Sequence, residues 1–331
     1  MRRSLVDLLA CPACGAPLAL DVPPRDDGRV VQGALSCRCG KRYPIVEAVA
    51  RLLPGDDRAP EAFRGFQERT RRSFGYQWTT FGGMVEEFRE HFLSYVEVQP
   101  EFFRGKVGLD AGCGFGRHLF YAASMGAEMV GMDFSAAADQ AFRHVDHLPN
   151  ADVIQGDIYH PPFKKQKFDF VYSIGVLHHL PDPEAGFRAL LPLIKPGGAI
   201  LIWVYSKSRR RINAILEVVR RITSRLPFGV IKALSLLGAV GDWACFIGPY
   251  KIATRSQNLR PLVDRWTFPR VKLYARYPFQ VSYADWFDRL SAPIRFYYDE
   301  ADLLLWAERA GLQQVRISPT GRYGFRLYGE V

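Results

Sequence analysis

The chain has 331 residues, of which 48% are hydrophobic and 24% charged, and it carries a formal net charge of +10. These proportions are ordinary for a folded globular protein, and they exclude an intrinsically disordered chain. The length predicts one main domain with an appendage, because a single hydrophobic core rarely grows much beyond this size.

Signals for export and for membrane insertion are weak in this sequence. The first residues include Arg2 and Arg3, but the apolar run after them is short, is broken by Asp7 and ends without a small-residue cleavage site. No apolar stretch of about 18 residues is free of charges, which argues against a transmembrane helix. We therefore expect a cytoplasmic protein.

Four of the six cysteines lie in the first 40 residues, as Cys11 and Cys14 in "CPACG" and as Cys37 and Cys39 in "CRCG". Two short cysteine turns can supply the four thiolates that a structural zinc ion requires. The second pair has one intervening residue instead of two, so a ribbon without metal and a disulfide pair stay open as alternatives. A segment this small needs a cross-link or a bound metal to fold, which favours zinc. Four thiolates would fill the coordination sphere, so the zinc would be structural and not catalytic.

The stretches "CPACGAPL" and "LSCRCGKRYPIVEAVARLLP" resemble the zinc-ribbon domain related to the small activator subunit of several methyltransferases. The resemblance covers residues 5–54 and implies a zinc ribbon over residues 1–58. Cys113 and Cys245 stand apart from it, and we expect both to be small buried apolar residues. A helix pair over about residues 61–104 is predicted next, within a segment 59–104 that links the ribbon to the main domain.

Strand-like and helix-like patterns alternate between residues 105 and 205. This alternation predicts a parallel sheet with helices on both faces, in which ligands bind at the carboxyl ends of the strands. The predicted strands are 107–111, 128–133, 151–157, 168–175 and 199–205, and the predicted helices are about 117–124, 135–145 and 184–194.

The first strand of this region leads into "LDAGCGFGRH", which contains Gly112, Gly114 and Gly116. A dinucleotide loop needs Gly-x-Gly-x-x-Gly, and Arg117 stands where the third glycine would be. No Gly-Lys-Ser/Thr follows, so the loop is not a nucleoside-triphosphate loop. Asp110 immediately before the loop would repel a phosphate but suits an ammonium group.

Two further acids follow the next two strands. Asp133 ends the second strand, where a carboxylate can accept the ribose hydroxyl protons. Asp157 follows the third strand, where it can meet an adenine amino group while Ile158 packs on the ring. A ligand with an ammonium group, a ribose and an adenine but no phosphate is S-adenosylmethionine (SAM).

Residues 105–205, above all "FDFVYSIGVLHHLPDPEAGFRALLPLIKPGG", resemble class I SAM-dependent methyltransferases. The resemblance implies a Rossmann-like α/β fold with seven strands, the last antiparallel, and "YYDEADLLLWAERAGLQQVRI" and "GFRLYGEV" are similar to its final helix and strands. The methyltransferase domain would then comprise residues 105–205 and 281–331. The implied cofactor-binding residues are Asp110, Gly112, Gly114, Gly116, Asp133, Phe134, Asp157, Ile158 and Ser173.

The same resemblance suggests residues for the acceptor side. His178 and His179 follow the fourth strand, where some similar enzymes place a base, and we favour His178; alternatively one histidine orients the loop and the other packs. Related enzymes lay a segment such as "FGYQWTTF" over the cofactor. The candidate lid and substrate residues are Tyr76, Gln77, Trp78 and Tyr205, and Asp285, Asp288, Arg295 and Tyr297 either line the pocket or act as helix caps and surface pairs.

Residues 206–280 form a basic insertion with 15 lysines and arginines against three acids. It is predicted to be a helical cap over the substrate pocket with a solvated basic face. Residues 206–250 also suit peripheral contact with an anionic membrane, which would imply a lipid-linked acceptor. RNA binding is the third interpretation, although "SIGVLHHL" lacks the Asn/Asp-Pro-Pro-Tyr/Phe tetrapeptide of many base amino-group methylases.

The sequence thus predicts a SAM-dependent methyltransferase with structural zinc. Its expected acceptor is a hydroxyl, amine or carbon of a small or lipid-linked molecule, reached in the cytoplasm or at the membrane surface. An RNA methyltransferase is the alternative, and a SAM-binding module without activity is a third, which the full set of cofactor acids disfavours.

Overall fold

A mixed sheet of eleven strands, with helices packed on both faces, runs through the part of the chain that the computed structural model describes. The described residues are 1–22, 29–55, 61–321 and 323–331, with 61–64 described only as helical backbone. The predicted ribbon therefore falls partly outside the described residues, at 23–28 and 56–58, and so do the first two residues of the predicted linker segment.

The strands occur in the spatial order β1-β2-β3-β4-β7-β6-β5-β8-β9-β11-β10. Their bounds are β1 Leu18–Asp21, β2 Gly33–Cys37, β3 Arg42–Val46, β4 Val49–Leu52, β5 Val107–Ala111, β6 Glu128–Asp133, β7 Ala151–Gly156, β8 Phe168–Ile174, β9 Ile194–Tyr205, β10 Gln313–Thr320 and β11 Gly324–Glu330. Strands β5 to β9 are parallel to one another, and β11 is antiparallel to β9 and to β10. The seven strands from β7 to β10 confirm the predicted fold class.

The central strands are buried on both faces, which explains their nearly continuous apolar sequence. Strand β5 passes so close to β8 that a Cβ on Gly108 would lie 2.1 Å from the ring of Phe170. Strand β9 is longer than predicted, because residues 195–198 continue the strand and do not form a turn. A register irregularity between Phe168 and Phe170 accommodates these extra residues.

The described α-helices are α1 Glu61–Phe81, α2 Phe88–Val96, α3 Arg117–Ser124, α4 Ala137–Val145, α5 Pro183–Leu190, α6 Arg210–Thr223, α7 Phe228–Asp242, α8 Gly248–Ala253, α9 Arg260–Trp266, α10 Pro269–Tyr274, α11 Phe279–Ser291 and α12 Glu300–Arg309. Helices α2, α3 and α4 cover one face of the central sheet. Helices α5 and α12 cover the other face together with the N-terminal strands. The helix predicted over 184–194 ends early, at Leu190, and is followed by a 3₁₀ turn.

The N-terminal strands extend the main sheet and share its core. Strand β4 pairs in parallel with β7, with Ala50 opposite Ile154. Arg2 reaches the same edge, where its backbone N–H and its Nε donate to the carboxylate of Asp152 at 2.9 and 2.7 Å. Asp152 is fully buried, so this ion pair joins the N-terminal strands to the edge of the sheet.

The insertion between β9 and α12 is helical, as predicted. Helices α7 and α8 are joined by a π-helical turn, Trp243–Ile247, into one continuous helix. This helix, Phe228–Ala253, is long and apolar enough to cross a membrane, judged by length and composition alone. An 18-residue segment of it has a mean hydropathy of 1.6, and 28% of that segment is buried. The sequence argument rested on the absence of an 18-residue apolar stretch free of charges; in this helix Lys232, Asp242 and Lys251 interrupt the apolar residues. Cys245 is exposed on this helix, so the expectation that it is buried is wrong, whereas Cys113 is buried.

We predict that Arg2→Ala lowers the free energy of unfolding by about 3 kcal/mol, because it leaves the buried carboxylate of Asp152 without its cation. Urea denaturation followed by tryptophan fluorescence measures the change. Arg42→Ala is the matched control, since Arg42 pairs with Asp21 on the exposed surface at 2.7 Å and should contribute little. Equal stabilities for the two variants would contradict this role of Arg2.

Candidate active site

A cavity of about 840 Å³ opens at the carboxyl ends of β5, β6, β7 and β8. This is the edge at which parallel sheets bind their ligands. One end is formed by the glycine loop and by acids from β6 and β7, and the other lies beneath the basic insertion. Ten residues predicted for the site line the cavity: Gln77, Trp78, Gly112, Gly114, Asp133, Phe134, Asp157, Ile158, His179 and Tyr205.

The glycine loop after β5 is built from positive-φ glycines. Gly112 has φ +88°, and a Cβ there would lie 2.5 Å from Val176. Gly114 has φ +53°, and its backbone N–H donates to Asp133 Oδ2 at 2.9 Å. Side chains are thus excluded from Gly112 by both backbone conformation and space, so the loop exposes its backbone to the cavity.

Asp133 connects this loop to the end of β6. Its Oδ1 accepts hydrogen bonds from the backbone N–H and the hydroxyl of Ser135, at 2.8 and 2.6 Å. Three donors therefore orient the carboxylate, which keeps acceptor capacity toward the cavity. Burial raises the pKa of Asp133, and the Ser135 and Gly114 donors oppose that shift.

Asp110 lies beneath the glycine loop and does not line the cavity. It is 1% exposed, and burial raises its pKa to about 8. Its Oδ2 has no hydrogen-bond partner within the described part of the chain, and neither has the buried Oε1 of Gln77, which does line the cavity. The unpartnered acceptor of Gln77, the exposed loop backbone and the acid of β6 face the cavity together and fit a ligand with an ammonium group and a ribose.

Asp157 lies at the end of β7, where Ile158 also lines the cavity. Its Oδ1 accepts from the backbone N–H of Tyr159 at 3.1 Å, and its Oδ2 lies 3.1 Å from His160 Nδ1. His160 therefore orients the carboxylate that was predicted to meet adenine. Sequence reasoning assigned His160 no role, although its spacing of three residues from Asp157 is compatible with a turn contact.

Helix α1 covers the glycine loop with Gln77 and Trp78. The ring of Trp78 lies 5.1 Å from that of Phe115, and its Nε1 would be 3.2 Å from a Cβ on Gly114. Tyr76, in contrast, stacks on Phe228 of α7 at 4.7 Å and does not line the cavity. Its prediction as a lid residue is corrected, because the adjacent position on a helix faces a different side.

Two of the predicted cofactor-binding residues have structural contacts instead. Gly116 precedes α3 with φ +86°, and a Cβ there would lie 3.0 Å from the backbone of Ala141. Ser173 is fully buried and donates from its hydroxyl to the carbonyl of Ala111 at 2.8 Å, which fixes β8 against β5. Neither lines the cavity, so both shape the site from behind.

The two histidines after β8 differ sharply in position. His178 is fully buried, does not line the cavity and has no partner for either ring nitrogen among the described residues. Its preference as the base is therefore corrected. His179 lines the cavity, and its Nδ1 lies 2.7 Å from the carbonyl oxygen of Ile294. Donation to that carbonyl places the proton on Nδ1 and leaves Nε2 as an acceptor.

The electrostatics around His179 keep it neutral. Burial lowers its pKa to about 4, with a further contribution from the positive charge of Arg295. Arg295 is paired with Asp288. Burial alone would raise the pKa of Asp288, but the positive charge of Arg295 outweighs it and holds that pKa below its usual value. His179 is thus an uncharged base near neutral pH.

The far end of the cavity is aromatic and cationic. Tyr205 lies under the guanidinium of Arg295, 4.5 Å from its ring centroid. Tyr297 donates to Glu217 at 3.1 Å, and Arg289 pairs with Asp285 at 2.7 Å. The four residues that the sequence left as pocket lining or surface pairs all line the cavity, namely Asp285, Asp288, Arg295 and Tyr297. Arg295 is in an ion pair with Asp288, as Arg289 is with Asp285.

The four N-terminal cysteines converge as predicted. Their sulfur atoms all lie within 4.8 Å of one another, with Cys11–Cys39 at 3.8 Å and Cys14–Cys37 at 3.5 Å. A tetrahedron with Zn–S bonds of about 2.3 Å has sulfurs about 3.8 Å apart, so the set fits zinc despite the short second pair. The Tyr43 hydroxyl also contacts Cys11 Sγ at 3.2 Å.

Residues 109–202 match the family model of the methyltransferase domain. Together with the strand order and the cavity, this match defines a class I SAM-dependent methyltransferase domain. The glycine loop, the acids Asp110, Asp133 and Asp157, and the turn with His178 and His179 all lie within the matched range. The cysteine cluster and the insertion lie outside it.

The chain is also similar to individual methyltransferases. It is 32% identical over 114 residues to a tRNA U34 carboxymethyltransferase of Sulfurovum sp., which covers 33% of this chain and 38% of that protein. It is 31% identical over 143 residues to phosphoethanolamine N-methyltransferase 3 of Arabidopsis thaliana, covering 42% of this chain and 28% of that protein. The chain thus spans less than two fifths of either relative.

The chain also matches several solved structures, among them that of a SAM-dependent methyltransferase from Aquifex aeolicus. The sequence identity is 17%, the alignment covers 75% of this chain and 98% of the Aquifex chain, and the TM-score is 0.41. Another is phosphoethanolamine N-methyltransferase 2 of Haemonchus contortus in complex with SAM, 16% identical, covering 84% and 48%, with a TM-score of 0.45.

We predict that Asp133→Ala weakens SAM binding about 100-fold, because it removes both the ribose acceptor and the hydrogen bond that holds Gly114. Isothermal titration calorimetry measures the affinity. Asp146→Ala, at a half-exposed acid after α4, is the control and should bind like the parent protein. An affinity of Asp133→Ala near that of the parent would overturn the assignment of the ribose site.

Proposed function

We propose that this protein transfers the methyl group of SAM to a hydroxyl, amine or carbon of a small-molecule or lipid-linked acceptor. The observation that carries the proposal is the single cavity that joins the glycine loop to the aromatic end beneath the insertion. Its volume of about 840 Å³ is at the upper end for small-molecule sites, which leaves room for an acceptor beside the cofactor.

SAM supplies an electrophilic methyl group when it is bound, and the protein supplies position and a base. Gly112, Gly114, Asp133 and Asp157 would hold the cofactor, with Gln77 and Trp78 above it. His179 would accept the acceptor's proton at Nε2, because Nδ1 already donates to the carbonyl of Ile294. His178 supports the turn from behind, between the rings of His179 and Tyr205 at 4.3 and 4.2 Å.

The acceptor end favours a molecule with an apolar or aromatic body and an anionic group. Arg209 lines this end, half-buried, with its guanidinium 5.2 Å from the ring centroid of Tyr323. It forms no ion pair with any described residue, whereas Arg289 and Arg295 are both neutralised. Burial lowers the pKa of Arg209, which indicates an incompletely solvated cation.

RNA methylation is the second candidate, and the basic insertion supports it. The relative named tRNA U34 carboxymethyltransferase of Sulfurovum sp. matches only 33% of this chain. Against RNA, the outer surface of the insertion carries exposed Ile, Leu and Val side chains, which offer no hydrogen bonds to a phosphate backbone.

We also propose that Cys11, Cys14, Cys37 and Cys39 bind a structural zinc ion. All four positions of a tetrahedral site are then filled by thiolates, which leaves no coordination position for a substrate. The cluster holds together the N-terminal strands, and the last of these, β4, pairs with β7 next to Asp157. The metal would therefore stabilise the edge of the cofactor site.

The acceptor class is tested with methyl-labelled SAM and a fractionated cell extract. Label is counted in RNA, protein, organic-soluble and water-soluble pools, with Asp133→Ala as the inactive control. Label in the organic-soluble or small-molecule pool is the expected result. Label in RNA would replace the proposal with the second candidate, and SAM binding without label in any pool would indicate a binding module.

We predict that His179→Gln lowers kcat by about 100-fold or more while leaving the affinity for SAM unchanged, because only the proton acceptor is lost. The pKa of His179 is lowered to about 4, so the neutral form persists as the pH falls through 6.5. The rate of the parent protein should therefore fall only as the pH approaches 4. The control is His147→Gln, which changes an exposed histidine. An inflection in kcat near pH 6.5 would contradict this assignment.

We predict about one zinc ion per chain by elemental analysis of the purified protein, since the four sulfurs form one site. Cys14→Ser should lose the metal and lower the unfolding temperature, because the N-terminal strands share the main sheet. Cys245→Ser is the control at an exposed cysteine far from the cluster in sequence. A folded parent protein without metal would refute the zinc proposal.

A further inference from the structure

We propose that the outer face of the insertion docks on a lipid bilayer that contains anionic lipids. This face, called here the outer face, comprises the exposed side of α6 and α7 and the segment from the π-helical turn to residue 268. The inference is carried by side-chain placement and charge, and it holds whether or not the proposed acceptor is correct.

Helix α6 has its polarity reversed relative to a surface helix of a soluble domain. Its inward side carries polar groups: Thr223 donates to the Leu290 carbonyl at 2.7 Å, and Arg220 is buried against Glu217. Its outward side carries large apolar residues, with Ile222 67% exposed to solvent. The exposed apolar residues of α6 are Ile212, Ile215, Val218, Val219 and Ile222. A helix in water would place this stripe inward.

Helix α7 repeats the reversal. Its inward side carries one large apolar residue, Ile231, which packs with Phe287 and Leu290 of α11. The rest of that side is small or polar, including Ser235 and Gly238, where a Cβ would lie 2.6 Å from the Trp286 ring. Asp242 is buried there and accepts from Trp286 Nε1 at 2.6 Å. Most of the other large side chains of α7 point outward, and Leu237 is 70% exposed. The exposed apolar residues of α7 are Val230, Leu234, Leu236, Leu237 and Val240.

Exposed apolar side chains are concentrated in this part of the molecule. Of the 23 large hydrophobic residues exposed in the described chain, 16 lie between residues 212 and 268. Trp266 and Phe268 are the most exposed, at 78% and 72%. Aromatic side chains at such tips suit the boundary between lipid headgroups and acyl chains.

The charges around this face complement an anionic surface. All three acids of the insertion have internal partners: Glu217 pairs with Arg220, Asp242 with Arg270, and Asp264 accepts from Tyr250. Several exposed arginines form no ion pair with any described residue, namely Arg210, Arg211, Arg221, Arg225 and Arg255. Unpaired cations beside exposed apolar side chains are the pattern of an interfacial helix.

A bilayer fits this surface better than a second copy or a nucleic acid. An isologous dimer would bring the same basic face against itself, and like charges would repel. RNA would neutralise the arginines but would leave the apolar stripes of α6 and α7 in water. Only a lipid interface satisfies both groups at once.

The outer face lies next to the cavity. Asn213 and Leu216, on the inward side of α6, line the cavity, while Ile212 and Ile215 on the same helix face outward. One helix thus separates the acceptor end from the proposed lipid surface. If the proposed function holds, an acceptor embedded in lipid would reach the cavity over the edge of α6.

The test is sedimentation of the full chain with vesicles, in the absence of SAM and acceptor. Vesicles of phosphatidylcholine alone are compared with vesicles that contain about one third phosphatidylglycerol. We expect binding to the anionic vesicles that weakens with added salt, and much weaker binding to phosphatidylcholine. Asp133→Ala should bind vesicles like the parent protein, which separates this test from failure of the proposed methyl transfer.

Two pairs of variants make the test specific. Ile222→Gln combined with Leu237→Gln should weaken vesicle binding about tenfold or more, because two exposed apolar anchors are removed. Leu304→Gln with Leu305→Gln, on exposed positions of α12, is the matched control. Arg221→Gln with Arg225→Gln should weaken binding about tenfold or more, whereas Lys165→Gln with Arg188→Gln removes the same charge elsewhere and should not.

The proposal is overturned if the parent protein does not sediment with anionic vesicles. It is also overturned if the Ile222 and Leu237 double variant converts a dimer to a monomer in analytical ultracentrifugation without changing vesicle binding. Loss of RNA binding in the arginine double variant, with vesicle binding intact, would likewise assign the outer face to a different partner.

Discussion

The hydrogen bond from the Gly114 N–H to Asp133 is the contact on which the cofactor end of the site depends. It joins the loop after β5 to the end of β6, so two strands that are neighbours in the sheet share one carboxylate. The loop can approach only because Gly112 and Gly114 adopt positive φ and present no side chain to Val176 and Trp78. A partly buried carboxyl group, oriented by three donors, is then aimed at the cavity before any ligand arrives, which reduces the ordering cost of binding.

The central fold was predictable because its signals are local. Buried parallel strands leave apolar runs, the loop leaves its glycines, and Asp133 and Asp157 follow strands whose carboxyl ends meet. The failures at the site depend on contacts between distant segments. Tyr76 faces α7 while its neighbour Gln77 faces the cavity, and His178 is turned inward where His179 is turned outward. From the sequence alone, it is not possible to tell which of two adjacent residues faces the cavity, because the choice depends on partners distant in sequence, here α7 and the Ile294 carbonyl.

The join between β4 and β7 was unpredictable for the same reason. Nothing in the pattern of residues 49–52 distinguishes a strand that ends a small separate unit from one that continues a larger sheet. In this protein the strand continues the larger sheet, because Ala50 pairs with Ile154 and Arg2 forms an ion pair with Asp152 at the same edge. The consequence is mechanical, because the cysteine cluster, β4 and the end of β7 that carries Asp157 form one hydrogen-bonded array.

The insertion shows how a hydrophobic pattern can mislead about what a helix faces. Periodic apolar residues on α6 and α7 predict helices correctly, but the usual assumption that the apolar side faces the core fails here. The side that faces the rest of the protein carries the Arg220–Glu217 ion pair on α6, and on α7 it carries Ile231 and small residues such as Gly238, which packs closely on Trp286. Burial of Arg220 inside, with isoleucine and leucine side chains outside, is unfavourable in water, because the arginine loses its hydration and the exposed apolar area gains nothing on folding. The proposed docking on a bilayer accounts for this arrangement, because the lipid would cover the exposed apolar side chains and its anionic headgroups would pair with the flanking arginines.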